Sequence, residues 1–432
     1  MFGVIQSNNN GIRKEPSAFY RWMVLFFVSL AMFGNYYVYD SISPLADLLT
    51  KQLHFSDSSI GLLNAIYSIP NVFMVLIGGI VIDKIGTRIS TFVFALLCLL
   101  GAALTAATGT LTMMAIGRLV FGLGAESLIV AVTTVIGRWF KGKELSFAFG
   151  LNLTLARLGS FAALNSPSWG KSLYDNWQVP LLISVATAVI SVVAVIIYWG
   201  MDVYAAKNFT LRPVPKQDEI NFKEVFSFSK SYWLVVMLCV TFYSAIFPFQ
   251  TFAVKFFIHV HNTSRELGGF LSSMLTASAM ILTPLFGLLS DYIGKRSLLM
   301  MIGSLMLIPV YLLMVYSGVN LYIPMAMMGF SFGLIPAVMW PSVAIIVDEA
   351  KLGTAYGLMT MIQNIGLAFF NLLIGWANDA SGDYTLGMWI FSILGFLGII
   401  FSILLRKSET GAGNHGLELG IKNKKRLQAA NM

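Results

Sequence analysis

Twelve apolar runs, each about as long as a bilayer is thick, constrain this chain more than any other feature. A helix needs roughly 20 apolar residues to cross a membrane. Such runs lie near residues 22–48, 59–82, 90–108, 113–137, 145–166, 178–199, 231–256, 266–289, 297–316, 320–347, 354–376 and 385–405. Inside a bilayer no water satisfies backbone groups, so runs of this length are helical. The expected fold is an all-α integral membrane protein with 12 transmembrane helices. Charge agrees, because only 11% of residues are charged, against about 25% in a soluble domain. The first run is too long for the apolar core of a signal peptide and shows no cleavage site, so it reads as a retained span. Most loops are short. The exceptions, polar and basic, are 200–230 and 406–432. The chain therefore divides into an N-terminus (1–21), a six-helix half (22–199), a linker (200–230), a second six-helix half (231–405) and a basic tail (406–432).

Lys and Arg give the orientation. With the N-terminus inside, 22 of the 28 basic residues fall in inside segments, among them Arg13, Lys14, Lys141, Lys143, Arg212, Lys216 and Lys223. Four fall outside (Lys51, Lys171, Lys255, Arg265), and Arg118 and Arg157 lie within spans. Both termini are expected to be cytoplasmic. This bias accounts for the net charge of +8, so no nucleic-acid partner is implied. The basic tail reads as an anchor near anionic lipid.

Cys98 and Cys239 lie in apolar runs and read as small core residues. The four histidines lie near span ends or in the tail, which leaves no mid-membrane histidine relay; His259-x-His261 alone is a weak metal pair. No cofactor or metal is expected. There is no nucleophile–base set for an enzyme, and the linker and tail are too small for a signalling domain.

Two charges sit where nothing else is charged. Glu126 lies 12 residues before Arg138, and Arg157 lies 13 residues after Glu144. At 1.5 Å per residue both are about 18–20 Å from the 138–144 loop, near the midplane on neighbouring helices. An isolated charge there costs at least about 2.5–3.5 kcal/mol, so the two should face a cavity or each other. A structural ion pair between spans 4 and 5 is one reading. A binding site for a zwitterion is the other: Arg offers a fork for a carboxylate, and Glu can hold an ammonium. Arg118, about 12 Å nearer the outer face, reads as structural or gating.

The chain repeats itself. "GGIVIDKIGTR" (78–88) follows span 2 and "FGLLSDYIGKR" (286–296) follows span 8, while "FGLNLTLARLG" (149–159) aligns on "YGLMTMIQNIG" (356–366). The second match pairs Arg157 with Asn364, so charged recognition is expected mainly in the N-terminal half. Tandem halves of this kind frame a site at mid-bilayer where they meet.

The pattern G-x-x-x-D-x-x-G-x-R, here Gly79, Asp83, Lys84, Gly86 and Arg88 and again Gly287, Asp291, Gly294, Lys295 and Arg296, resembles the signature of the major facilitator superfamily. That resemblance implies a latch in these loops. The first Gly is expected to allow close helix approach, and the Asp to sit against a helix N-terminus of the other half. "GRLVFGLGAES" (117–127), "RWFKGKELSFAFGLNLTLARLGS" (138–160), "MWPSVAIIV" (339–347), "YYVYDS" (36–41) and "FPFQTFAVKFF" (247–257) are similar to one branch, the lysosomal dipeptide uniporters and their bacterial relatives. The antiporter Gly-Pro pair of span 5 is absent, where "LGSFAALNSP" stands instead.

The resemblance implies a transporter, not an enzyme, moving dipeptides by alternating access. It assigns the peptide amino end to Glu126 and the carboxylate to Arg157; empty, the two are expected to be free to pair with each other. Tyr36, Tyr37, Asn152, Tyr243, Trp340 and Asn364 are further candidates for binding. Asp40 and Lys255, near outer span ends, are candidates for gating or coupling. Pro341 is expected to loosen span 10 beside the cavity. An organic-anion carrier or a proton-coupled peptide symporter of the same fold is the alternative. Expected partners are the bilayer and a small zwitterion, for a monomer to which the family allows an accessory membrane subunit. The compact termini suggest a bacterial inner membrane, and the resemblance a lysosomal one if the chain is eukaryotic.

Overall fold

The computed structural model describes residues 15–140, 144–210, 227–348, 351–411 and 414–420. Arg13, Lys14, Lys141, Lys143, Glu349, the linker basics Arg212, Lys216 and Lys223, and the tail beyond 420 lie outside the described residues. Among those described there are thirteen α-helices and two short 3-10 turns. Twelve segments are long and apolar enough to cross a membrane.

The first half comprises α1 (Ala18–Asp40), α2 (Ala46–Leu53), α3 (Asp57–Ala107), α4 (Leu111–Phe140), α5 (Leu145–Leu164), the single turn α6 (Ser166–Trp169) and α7 (Gln178–Asn208). The second comprises α8 (Lys230–His261), α9 (Arg265–Ile293), α10 (Arg296–Tyr316), α11 (Tyr322–Ile346), α12 (Leu352–Ser381) and α13 (Thr385–Thr410). The first apolar run is not one straight span: the chain turns after Asp40, and α2 follows beyond Pro44. Spans 2 and 3 share the helical segment α3, broken where Gly86 adopts φ 81°. Only glycine takes that conformation readily, so the latch motif requires a glycine there.

The repeat shows in the caps. Ser17, Ser56, Ser229 and Ser264 each accept a hydrogen bond from the amide three residues on, opening spans 1, 2, 7 and 8. His54 and Asn262, 208 residues apart, both end their helices in the left-handed conformation. Pro336 and Pro341 do not break α11, which continues through both.

Two buried cores form: one lies within the first half, and the other fills the second half and extends into the first through Leu45, Leu49, Ile60, Met114 and Leu181. In the first, α1 packs on α5 and α7, and α3 on α4; in the second, α8 and α10 pack on α13, and α9 on α11. The halves meet mainly where α3 lies against α12 and α5 against α9. The end of the bundle that carries both chain termini is called here the terminal end.

Candidate functional site

Between the halves lies a cavity of about 660 Å³. Its walls come from spans of both halves and include Asn35, Tyr36, Tyr39, Asp40, Tyr67, Glu126, Arg157 and Ser160, and across from them Tyr243, Phe247, Thr283, Phe332, Trp340, Gln363 and Asn364. The lining continues through Gly150 and Gly287 towards the terminal end.

Glu126 and Arg157 face this one cavity, but they do not pair. Among the described residues neither makes a hydrogen bond or ion pair, so the expected direct pairing is not formed. The Arg157 guanidinium lies 5.9 Å from the Tyr36 ring centre and 5.2 Å from that of Phe332. One ring belongs to each half. Aromatic faces attract a cation without neutralising it, so its donors stay available.

Other expected residues sort by position. Tyr36 lines the cavity. Tyr243 and Trp340 do as well, and the Trp340 indole donates to the Tyr243 hydroxyl at 2.9 Å. Asn364 lines it, with its amide bonded to its own helix at the Thr360 carbonyl, 3.0 Å. Tyr37 and Asn152 are not in the lining. Tyr37 is buried beside Phe33, and Asn152 accepts from Ser29 at 3.0 Å, which ties α5 to α1.

Arg118 is 1% exposed and has no carboxylate partner among the described residues. It donates to the carbonyls of Leu63, Val38 and Tyr39 at 3.2 Å and to Asn64 Oδ1 at 3.1 Å. Tyr39, Tyr67 and Phe121 surround the guanidinium. It staples α1, α3 and α4 together behind the cavity wall.

Asp40 and Lys255 part company. Asp40 lines the cavity, whereas Lys255 belongs to a seal at the end opposite the termini. There the Lys255 ammonium pairs with Asp57 and donates to Thr50 at 2.9 Å. The other Asp57 oxygen accepts from Asn378 at 3.0 Å. Asp379 accepts the backbone amides of Asp57 and Ser58, both at 2.8 Å. The N-terminus of α3 in one half is thus capped by a carboxylate from the other. Arg265 grips Asp47 at 2.5 Å and donates to the Tyr174 carbonyl at 3.2 Å. Lys171 meets Glu266 at 2.7 Å, which raises the Lys171 ammonium above its usual value. Gly61 and Gly375 let the backbones touch: a Cβ on Gly375 would stand 2.5 Å from the Asp57 carbonyl oxygen.

The latch motifs differ from expectation in two respects. A Cβ at Gly287 would meet nothing within 4 Å, whereas in the first half a Cβ at Gly78, beside the motif's Gly79, would stand 2.8 Å from the Ser127 hydroxyl. Neither aspartate caps a helix of the other half. Asp83 and Lys84 are exposed, and Asp291 accepts from Arg296 at 2.6 Å within its own half. Arg88 does anchor its loop, on the buried Asp202 at 2.5 Å, where Arg138 joins it at 3.2 Å.

The residues of the seal were not picked out from the sequence, apart from Lys255. Their charges sit at span ends, where headgroup contact is the ordinary expectation, and their partners lie about 95–320 residues away. Tyr67 and Phe332 carried no signal beyond being aromatic in an apolar run.

Residues 28–264 and 250–426 match the Major Facilitator Superfamily. The lysosomal dipeptide transporter MFSD1 of Danio rerio is 32% identical over 389 residues, covering 87% of this chain and 84% of that protein. MFSD1 of Mus musculus is 32% identical over 417 residues, covering 93% and 90%. A crystal structure of a mutant of the nucleoside transporter NupG superposes with a TM-score of 0.73 at 15% identity, covering 89% of this chain and 99% of that one, and shares the fold. Twelve spans in two repeated halves, a cavity where the halves meet and matches over most of the length lead to one assignment: the chain is a multi-pass membrane transport protein belonging to the Major Facilitator Superfamily.

Proposed function

We propose that this transporter carries dipeptides, with Arg157 holding the peptide carboxylate and Glu126 the amino end. One observation carries the reading. An unpaired acid and an unpaired base face the same cavity from adjacent spans, and a zwitterion with a charge at each end matches that pair. Recognition confined to the two termini leaves side chains unread, which suits a carrier of many dipeptides. The relatives named as dipeptide transporters support it. Tyr36, Tyr243, Trp340 and Asn364 complete the walls around the bound peptide.

The transport cycle in this reading is a rocking of the halves about the cavity. The Lys and Arg bias assigns the terminal end to the cytoplasm. Polar contacts between halves gather at the opposite end, around Asp57, Asp47 and Glu266, which supports a carrier sealed outside and open inside. Lys255 acts as a gate residue there, and Arg118 as a staple. In this reading transport is facilitative, the cycle needing only binding, rocking and release, and Glu126 is the carboxylate through which a proton-coupled alternative would run.

Counterflow into liposomes tests the reading. Unmodified dipeptides should exchange, whereas N-acetylated and C-amidated dipeptides and free amino acids should exchange poorly. Full exchange of either capped form removes the two-charge basis. Exchange of monocarboxylates that survives Glu126→Gln and fails with Arg157→Ala identifies an organic-anion carrier instead. Uptake that collapses with the pH gradient identifies a proton-driven symporter.

A further inference from the structure

Arg88 and Asp202 pair in the first half, and their repeat counterparts, Arg296 and Glu409, do not pair in the second. The offsets are 208 and 207 residues, those of the repeat itself. Asp202 is 0% exposed and Glu409 3%, so both halves bury a carboxylate near the terminal end of their last span. In the first half that carboxylate takes Arg88 directly, at 2.5 Å.

In the second half the chain's own tail stands between the two. Residues 414–420 fold back from the end of α13. His415 donates its backbone amide to Glu409 Oε2 at 3.0 Å, and its Nδ1 lies 2.7 Å from Oε1. Ser231 donates to the same carboxylate at 2.5 Å. Farther along, Arg296 donates to the Leu417 carbonyl at 3.5 Å, Lys295 N–H to the Glu418 carbonyl at 3.1 Å, and Ser297 N–H to the Glu418 carboxylate at 3.0 Å. Leu417 is fully buried. Gly294 and Leu419 form a β-bridge. The segment therefore touches both members of the ion pair that the first half makes directly, while Arg296 keeps Asp291 as its carboxylate partner at 2.6 Å.

We infer that residues 414–420 are a releasable strap on the second latch: docked, they hold Arg296 and Glu409 apart, and on release those two residues pair as Arg88 and Asp202 do. The contact chemistry favours exchange. Three backbone groups of the strap, the His415 ring, the Glu418 carboxylate and one leucine hold it, and a direct guanidinium–carboxylate pair is the alternative for Arg296 and Glu409. The partner here is the chain itself, so the inference is independent of what the transporter carries.

Gly420 offers a way to release the strap in the full-length protein. A Cβ there would collide with the backbone of Tyr292 and Ile293, which end α9, and of Gly294, its C-cap. Gly420→Val should therefore undock the segment, and hydrogen exchange at the amides of Lys295 and Ser297 should speed up at least tenfold. The charge swap Arg296→Glu with Glu409→Arg then decides, made in every arm together with Asp291→Asn, because Asp291 accepts from Arg296 at 2.6 Å and would repel a glutamate there. In the Gly420→Val background each single change should lower the Tm, and the swap should restore it. With Gly420 intact the swap should not restore it, because the Leu417 carbonyl then lacks its donor and Ser231 and His415 lack their acceptor. A swap that fails to rescue in the released background overturns the inference. So does unchanged exchange at Lys295 and Ser297 in a folded Gly420→Val protein. If Gly420→Val does not accumulate, Gly420→Ala carries the same comparison, with the same two outcomes.

Discussion

Asp379, at the end of α12, accepts the first two backbone amides of α3, those of Asp57 and Ser58, at 2.8 Å each. A helix in one half is thereby capped by a side chain of the other. The Asp57 side chain, in turn, holds Lys255 and Asn378 of that other half. Opening this end therefore uncaps a helix and parts a buried ion pair in one movement.

Lys255→Met should weaken the seal. Removing one partner of a buried pair costs about 3–5 kcal/mol, which is a population shift of roughly a hundredfold or more at 1.4 kcal/mol per factor of ten. A cysteine placed at Ser160 in the cavity wall, with Cys98 and Cys239 replaced by Ala, should then label faster with an impermeant thiol reagent applied opposite the termini. Unchanged labelling would show that the pair does not hold that end shut.

Gly375→Ala acts on the same end by sterics. The added methyl would press on the Asp57 carbonyl, and backbone cannot yield as a flexible side chain can. The sealed arrangement should become the minor one, with labelling of the Ser160 cysteine from the terminal side reduced several-fold.

Glu126→Gln and Arg157→Ala should each abolish dipeptide exchange while leaving the folded protein intact. A hydrogen bond to a charged group contributes about 1.5–3 kcal/mol, so affinity should fall roughly 10- to 150-fold per substitution. Ligand-dependent thermal shift reads this directly, and unchanged Tm without peptide separates a binding defect from unfolding.

Arg118→Met should behave in the opposite way. It strands the carbonyls of Leu63, Val38 and Tyr39, and each buried acceptor left without a donor costs about 1–3 kcal/mol. The expected result is a Tm lowered with and without peptide. Arg118→Lys should recover only part of it, because one ammonium cannot reach four acceptors spread over two helices.

Most of the architecture was legible in the sequence, since span length and repeat are local or periodic signals. Glu126 and Arg157 were found because charge in an apolar run is costly and their distances from one loop match. What they do in the empty protein was not legible. The choice between pairing and facing rings depends on how α4 and α5 pack within the first half and on where Phe332 of the second half stands, which no spacing encodes. Tyr37 and Asn152 were misplaced for a related reason. A helix turns 100° per residue, so Tyr36 faces the cavity while its neighbour is buried beside Phe33. The Asp47–Arg265 and Asp57–Lys255 contacts join residues that share no periodicity, so only the assembled bundle reveals them.

The placement of Arg157 between Tyr36 and Phe332 bears on the return stroke. In the facilitative cycle proposed above the carrier reorients without cargo once per turn, and a bare guanidinium at mid-bilayer would oppose that step. Two aromatic faces give the charge a soft, reversible refuge that departs when Phe332 swings away with its half. An arriving carboxylate then has only ring faces to displace, whereas an Arg157–Glu126 ion pair would have had to be broken first.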